Sequence, residues 1–337
     1  MAGIRDVAKL AGVGVATVSR VLNGSGYVSG ETKKKIIQAM EELNYTPNEL
    51  ARQLYHKKSG IIAVLMPDVS HPFFSELVKD IETTLYERGY KTMLCDTFKE
   101  KNSEKEYLNM LERNIVDGII TGVHSLDVES YRKISRPIVA FDRVLGDRIP
   151  VVRVDHRTGG CLAAQMLCES GCRNVLQFYG AKVVASPSHE RHAEFERYMK
   201  EHGVKVTSVE LMWNRFDVQY FREVTRQVLA EHPETDGVFG ADLLMVYCMK
   251  AAQDQGKKVP EDLKVVAYDG TYVTETATPE ITAIAQPIPQ IARTVVGMIC
   301  DMIEGKELKE TRVVLDVKVK PGMTTFNDFT KMRQWCV

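Results

Sequence analysis

The sequence predicts an α/β protein with a small all-helical unit at its N-terminus, and three observations carry that prediction. Residues 1–60 show three short helical patterns and hold nine Lys/Arg against five Asp/Glu, whereas the remainder holds 35 against 40. From Ile61 onward, short apolar runs alternate with amphipathic helical stretches, as in parallel sheets buried on both faces. With 337 residues, 44% apolar and 26% charged, the chain is long enough for two or three domains and a sizeable core. Net charge is only −1, yet a basic module on a mildly acidic body points the first sixty residues toward a polyanion.

In the first unit, Ile4, Val7, Ala8 and Ala11 repeat at helical spacing until Gly12-Val13-Gly14 breaks the run. A second helix covers Val15–Leu22 and stops at Asn23-Gly24, residues suited to a left-handed C-cap. A third runs from about Glu31 to Leu43, with Ile36, Ile37, Met40 and Leu43 as its inner face and Ser29 as N-cap. Helix, short glycine-bearing turn, helix and supporting helix make a helix-turn-helix layout, although a plain three-helix cap on the next domain has the same periodicity. The chemistry suits a DNA duplex. Val15 and Ala16 offer apolar contact to a thymine methyl, and Arg20 can grip a guanine edge with two hydrogen bonds. Thr17, Ser19, Ser29, Thr32 and Tyr45 carry hydroxyls suited to phosphate oxygens.

Four runs then carry a resemblance: Ile4-Arg5-Asp6-Val7-Ala8; Ala11-Gly12-Val13; Ala16 to Asn23; and Tyr45-x-Pro47-Asn48-x-x-Ala51-Arg52-x-Leu54. The segment resembles the lactose/galactose repressor (LacI/GalR) family over nearly sixty residues. Gly14 stands where that family commonly has Ser, which removes a hydroxyl. The resemblance implies a helix-turn-helix headpiece over residues 1–46, with Asn23 among its DNA contacts, and a hinge helix over 47–58. Asn48–Lys57 is shorter than the roughly 12–15 residues an isolated helix needs. By resemblance it folds only when two copies meet in the minor groove, with Asn48, Ala51 and Leu54 at the DNA and Leu54 wedged into a base step. Read without the family, the same residues are equally a flexible linker.

In the remainder, strands are expected at Ile61–Met66, Lys91–Cys95, Gly118–Thr121, Pro137–Phe141, Asn174–Tyr179, Gly237–Gly240 and Lys264–Tyr268. Helices are expected at Ser75–Arg88, Glu104–Arg113, Gly159–Glu169, Glu190–Glu201, Asp217–Leu229 and Asp242–Gln255. So many units exceed one sheet, which suggests two subdomains with a cleft between the carboxyl ends of their strands. The resemblance continues to about Thr325 and implies a periplasmic-binding-protein-like core over 59–326. Its chain would cross between subdomains near Asp155, Gln286 and Val317. The N-subdomain would hold about 60–156 and 287–317, and the C-subdomain about 157–286 and 318–326. Residues 327–337 form a tail without a heptad repeat.

Strand ends and family motifs select the candidate ligand residues Phe73, Phe74, Asp142, Arg143, Arg191, Phe216, Asp242 and Asp269. A guanidinium, several carboxylates and aromatic plates suit a sugar: the guanidinium donates, carboxylates accept from hydroxyls, and rings cover apolar C–H faces. Each has a plainer explanation too: helix-cap packing for Phe73 and Phe74, mutual pairing for Arg191 and Asp269, helix capping for Asp242.

No Gly-x-Gly-x-x-Gly follows a strand, and neither a phosphate loop nor a Gly-x-Ser-x-Gly elbow is present. No catalytic residue, metal ligand or cofactor is therefore assigned. Cys168-x-x-x-Cys172 lacks a second ligand pair, and the seven cysteines are scattered as reduced thiols would be. The start of the chain shows no secretory signal and no apolar run reaches membrane length, so a cytoplasmic location is expected. A solute-binding protein with this core would have no use for the basic unit. The expected partners are near-palindromic double-stranded DNA, a second copy of the chain and a small effector, with no membrane. That effector is a sugar acting as inducer or, alternatively, a purine acting as corepressor.

Overall fold

The computed structural model describes residues 2–46, 58–97, 103–123, 127–213 and 215–326. It divides the chain into two units, up to Gly60 and from Ile61. The hinge residues Asn48, Ala51 and Leu54, and the tail 327–337, lie outside the described residues.

The first unit has helices α1 (Ile4–Leu10), α2 (Val15–Asn23) and α3 (Gly30–Glu42). Gly12, at φ +65°, makes the turn from α1, a conformation that costs a residue with a Cβ 1–2 kcal/mol or so. Gly14 is the N-cap of α2 and has no side chain to cap with, while Gly24 ends the helix in the left-handed region, its N–H reaching the carbonyls of Arg20 and Val21. The Ser29 hydroxyl accepts from the Thr32 N–H at the start of α3. Val7, Ala8, Val18, Ile36 and Ala39 form the small buried core, flanked by Met40, Leu43 and Tyr45. Ile37 is exposed instead. It sits about 100° around the helix from Ile36, beyond the stripe that Ile36, Ala39, Met40 and Leu43 occupy.

The second unit contains two sheets of the same design. The first has strands β1 (Ile61–Met66), β2 (Lys91–Asp96), β3 (Gly118–Thr121), β4 (Ile138–Phe141), β5 (Val151–Val154) and β11 (Arg312–Leu315), in spatial order β2-β1-β3-β4-β5-β11 and all parallel. The second has β6 (Asn174–Tyr179), β7 (Lys205–Glu210), β8 (Gly237–Ala241), β9 (Lys264–Asp269), β10 (Thr282–Ala285) and β12 (Lys318–Lys320). Its order is β7-β6-β8-β9-β10-β12, with only β12 antiparallel. The chain passes between the sheets after Val154, between Ala285 and Ile288, and between Leu315 and Lys318.

Alternation along the strands builds the core. Ile62, Val64 and Met66 pack with Leu77, Ile81, Ile291, Val295 and Ile299, from helices Pro72–Glu87 and Ile288–Ile303. Ala63 and Leu65 face the other way, toward Leu108, Leu111 and Tyr131. Helices Val128–Arg132, Tyr272–Thr276 and Ile288–Ile303 and strands β5, β7, β10, β11 and β12 have no counterpart in the sequence reading. The strands are three to six residues long, and β7 and β11 sit at sheet edges where polar residues interrupt the apolar run. The first long helix starts at Pro72, three residues before the expected Ser75, because proline's preset φ and missing N–H suit a first helical position.

Candidate functional site

Both sheets end their strands at one cleft, which holds about 1090 Å³ of space with its open mouth included. The segments after β1, β4, β6, β7, β8, β9 and β10 supply its walls, as expected where parallel strands end. Of the candidate ligand residues, Phe73, Phe74, Asp142, Arg143, Arg191, Phe216 and Asp269 line it. Asp242 does not line it. Its carboxylate accepts from the Gly270 N–H (3.2 Å), the Thr271 N–H (2.6 Å) and the Thr271 hydroxyl (2.7 Å), tying the start of one helix to the loop after β9. Nor does it cap that helix, whose N-cap is Ala241.

One wall is aromatic. Phe74 and Phe216 meet edge to face at 6.1 Å, His71 meets Phe216 at 5.6 Å, and Phe73 packs on Phe141. Phe73 and Phe74 lie on the first turn of helix Pro72–Glu87, which aims them at the cleft. Across from them, the Arg191 guanidinium stacks over the Tyr268 ring with its carbon 4.1 Å from the centroid. Tyr268 is buried on β9, and its hydroxyl pairs with His156 Nδ1 at 3.1 Å. His156 Nε2 lies 2.8 Å from both Asp142 oxygens. Asp142 is therefore spoken for by a buried histidine at the first crossing between sheets.

Arg143 is 2% exposed and donates to the Ala185 carbonyl, so it bridges the two halves of the cleft. Burial pushes its pKa down, with Glu104 and Tyr131 opposing. Three further contacts bridge the halves. The Ser186 hydroxyl donates to the Asp142 carbonyl (3.1 Å), Arg153 clasps Glu190 with two bonds (2.9 and 2.6 Å), and the Tyr272 N–H donates to Glu76 (2.8 Å).

Asp269 ends β9 at φ +120°, where a side chain is strained. Its Oδ1 accepts from Gln286 Nε2 at 2.8 Å. Burial raises its pKa, and the Arg191 guanidinium pulls it back. Two polar atoms in the lining, His71 Nδ1 and Gln286 Oε1, are buried without a hydrogen-bond partner among the described residues. A buried orphan costs about 1–3 kcal/mol, so both are groups a ligand could satisfy. Burial also pushes the His71 pKa down to about 4, against the opposing charge of Asp68.

The sequence reading missed His71, Ser186, Trp213 and Gln286 as lining residues. His71 sits inside the segment already singled out between Asp68 and Phe74, and Gln286 at an expected crossing. Trp213 had no signal of its own.

In the first unit, Val15, Ala16 and Arg20 are exposed on α2, and Thr17 is half-buried beside them. Asn23 Nδ2 donates to the Ser19 hydroxyl at 3.2 Å. Ser29 and Thr32 share a 2.8 Å hydroxyl contact at the start of α3, and Tyr45 is half-buried against the small core. Tyr27, absent from the reading, is 92% exposed.

A helix-turn-helix unit joined to a two-lobed core with a polar and aromatic cleft defines a ligand-responsive DNA-binding regulator. Comparison with known proteins places it further. Residues 3–48 match the family of bacterial regulatory proteins, lacI family, and residues 164–325 match the periplasmic binding protein-like domain. The chain is 38% identical to the ribose operon repressor of Halalkalibacterium halodurans, across 96% of this chain and 97% of that protein. It is 39% identical to the sucrose operon repressor of Pediococcus pentosaceus, across 95% and 98%. Among solved structures it resembles a complex of the transcriptional regulator CelR with cellobiose, with TM-score 0.71, 26% identity and coverage of 96% and 100%. The chain belongs to the lacI family of bacterial regulatory proteins. It is a DNA-binding regulator and not an enzyme.

Proposed function

We propose that this chain is a dimeric, cytoplasmic repressor of a sugar-utilisation operon, released from its operator when a sugar binds the cleft. The observation that carries this reading is the composition of the cleft. A stacked guanidinium and a carboxylate face orphaned polar atoms and an aromatic wall, a set that recognises hydroxyls and apolar ring faces together. Relatives named for ribose and sucrose operons, and a relative solved with cellobiose, support the same ligand class.

On this reading α2 enters the major groove, with Val15, Ala16 and Arg20 at base edges. Thr17, Ser19, Asn23, Ser29, Thr32 and Tyr45 position the unit on phosphates. Asn48, Ala51 and Leu54 act at the minor groove once two copies are on DNA, and two copies imply a near-palindromic site. The domain limits of the sequence reading, 1–46, 47–58 and 59–326, are part of the proposal. The sugar acts by binding one arrangement of the two halves more tightly than the other, since equal affinity shifts nothing. Contacts such as Arg153–Glu190 and Tyr272–Glu76 are the ones a change between arrangements would make or break.

The test is selection of operator sequences from random duplexes by the full chain at two salt concentrations. D-ribose, sucrose, cellobiose and a set of purines are then added singly. A palindrome that enriches, binds less tightly in high salt and is released by a sugar supports the proposal. Enrichment only with a purine present would overturn the inducer reading in favour of corepression.

A further inference from the structure

Behind the cleft, a chain of buried polar groups runs from the surface to Arg191, and hydrogen-bond direction can be followed along it. It starts at Glu196, whose carboxylate can only accept. Gln177, fully buried on β6, directs Nε2 to Glu196 Oε1 at 2.6 Å and to the Ser208 hydroxyl at 2.8 Å. The amide is thereby oriented, because its nitrogen must face the carboxylate. Its oxygen, Oε1, lies 3.1 Å from His192 Nδ1. An amide oxygen only accepts, so Nδ1 must carry the proton. At the other side of the ring, Arg191 Nε donates to His192 Nε2 at 3.2 Å. A guanidinium only donates, so Nε2 must keep its lone pair.

We infer that His192 is a positioning residue for Arg191, held as the neutral Nδ1-protonated tautomer by the Glu196–Gln177 relay. One assignment satisfies every group from Glu196 to Arg191, and either alternative sets two donors against each other. Ring placement supports the assignment. His192 is 7% exposed and lies 5.8 Å from both Tyr179 and Phe239, which confine its plane. Burial and the neighbouring Arg191 also hold its pKa well below the ordinary histidine range, so the neutral ring persists.

With Nε tied to His192 and one face stacked on Tyr268, the guanidinium loses most of its freedom before any ligand arrives. Pre-ordering of this kind favours affinity by reducing what binding must immobilise. The backbone is confined as well. A Cβ at Gly160 would lie 2.0 Å from the Arg191 carbonyl oxygen, so helices His156–Glu169 and His189–Glu201 approach more closely than any side chain would permit. The functional half of this inference rests on Arg191 being a ligand-gripping residue; the tautomer assignment does not.

The experiment begins with long-range proton–nitrogen correlation spectra of the full chain labelled on histidine. The His192 signal is assigned by its loss in His192→Gln. A protonated Nδ1 with a bare Nε2 is expected, opposite to the tautomer free imidazole prefers. A protonated Nε2, alone or with Nδ1, would overturn the relay. In the same protein, the Arg191 Nε–H should exchange slowly with water, and should speed up at least tenfold in His192→Leu. Unchanged exchange would mean that His192 only fills space. Calorimetric titration with D-ribose, sucrose and cellobiose then reads the functional half. His192→Leu should weaken the sugar that binds about tenfold, His192→Gln should recover most of that loss, and in an Arg191→Met background His192→Leu should change nothing. An equal loss in that background would overturn the positioning role. If no sugar gives heat while the tautomer stands, the sugar reading has failed and the relay has not. Should His192→Leu not fold, Gln177→Met breaks the relay one step further back and takes its place.

Discussion

The two units hold their candidate functional groups differently, one on its surface and the other in its interior. In the first, Val15, Ala16 and Arg20 stand exposed on one helix over a core of five small buried residues. In the second, several candidate ligand groups are buried: His71 Nδ1 and Gln286 Oε1 lack hydrogen-bond partners among the described residues, and the strained Asp269 is held by Gln286. A surface for a large rigid partner can present side chains to water until the partner comes. A site for a small ligand must remove water first, so its polar groups carry desolvation costs in the free protein. Substitutions of the exposed α2 residues should therefore act on binding alone, and those of buried cleft residues on binding and stability together.

The largest expected effect is at Gly160. Its replacement by alanine puts a methyl against the Arg191 carbonyl and should destabilise the core by about 3 kcal/mol, read by calorimetric unfolding of the full chain. A glycine with open space gives the contrast. Gly30, on the first turn of α3, has no atom within 4 Å of its would-be Cβ. Gly30→Ala should leave stability unchanged or raise it by about 0.5 kcal/mol. If the two substitutions behave alike, close helix approach is not what the core depends on.

Next is the pH dependence set by His71. Its pKa is about 4 in the fold, because burial penalises the charged ring, and about 6.5 when unfolded. Below 6.5 the unfolded chain takes up a proton that the folded chain refuses. Stability contributed by the neutral ring is thus fully present above pH 6.5 and is lost as pH falls toward 4, by roughly 3 kcal/mol over the interval. His71→Asn should flatten that part of the profile in chemical unfolding. An unchanged slope would show that His71 is not held neutral.

Smaller effects belong to the first unit. Arg20→Ala should relax one operator position at a cost of about 1–3 kcal/mol in binding, with unfolding unaffected. Unchanged specificity in a footprint would remove Arg20 from the reading set. Ser29→Ala removes the cap on the Thr32 N–H and should cost about 1 kcal/mol of stability, the smallest of the losses.

The difference between the units also explains how legible each was. All three helices of the first unit could be read from periodicity and glycine punctuation, because each is a local pattern ended by a local signal. Ile37 was misplaced because apolar character alone does not say which side of a stripe faces a core. In the second unit the long alternating pattern revealed parallel sheets, and five strands with three helices escaped. Short edge strands such as Arg312–Leu315 take their conformation from a neighbouring strand more than from their own residues.

For the cleft, the sequence by itself determined the chemical types at hand: a guanidinium in Arg191, a carboxylate ending a strand at Asp269, aromatic rings at Phe73 and Phe74. What each group does was decided by tertiary structure alone. Asp242 and Asp269 both adjoin strand ends, yet one is consumed by the backbone of Gly270 and Thr271 and the other faces the ligand space. His156 and His192 bring no motif with them. The partners of His156 lie 14 and 112 residues away, and Gln177, which orients the His192 ring, lies 15 residues from it. The physical reason is the range of the forces. Helix periodicity and capping act over four or five residues and are written locally, whereas hydrogen-bond direction inside a core depends on which distant chain segments the fold brings within 3 Å or so.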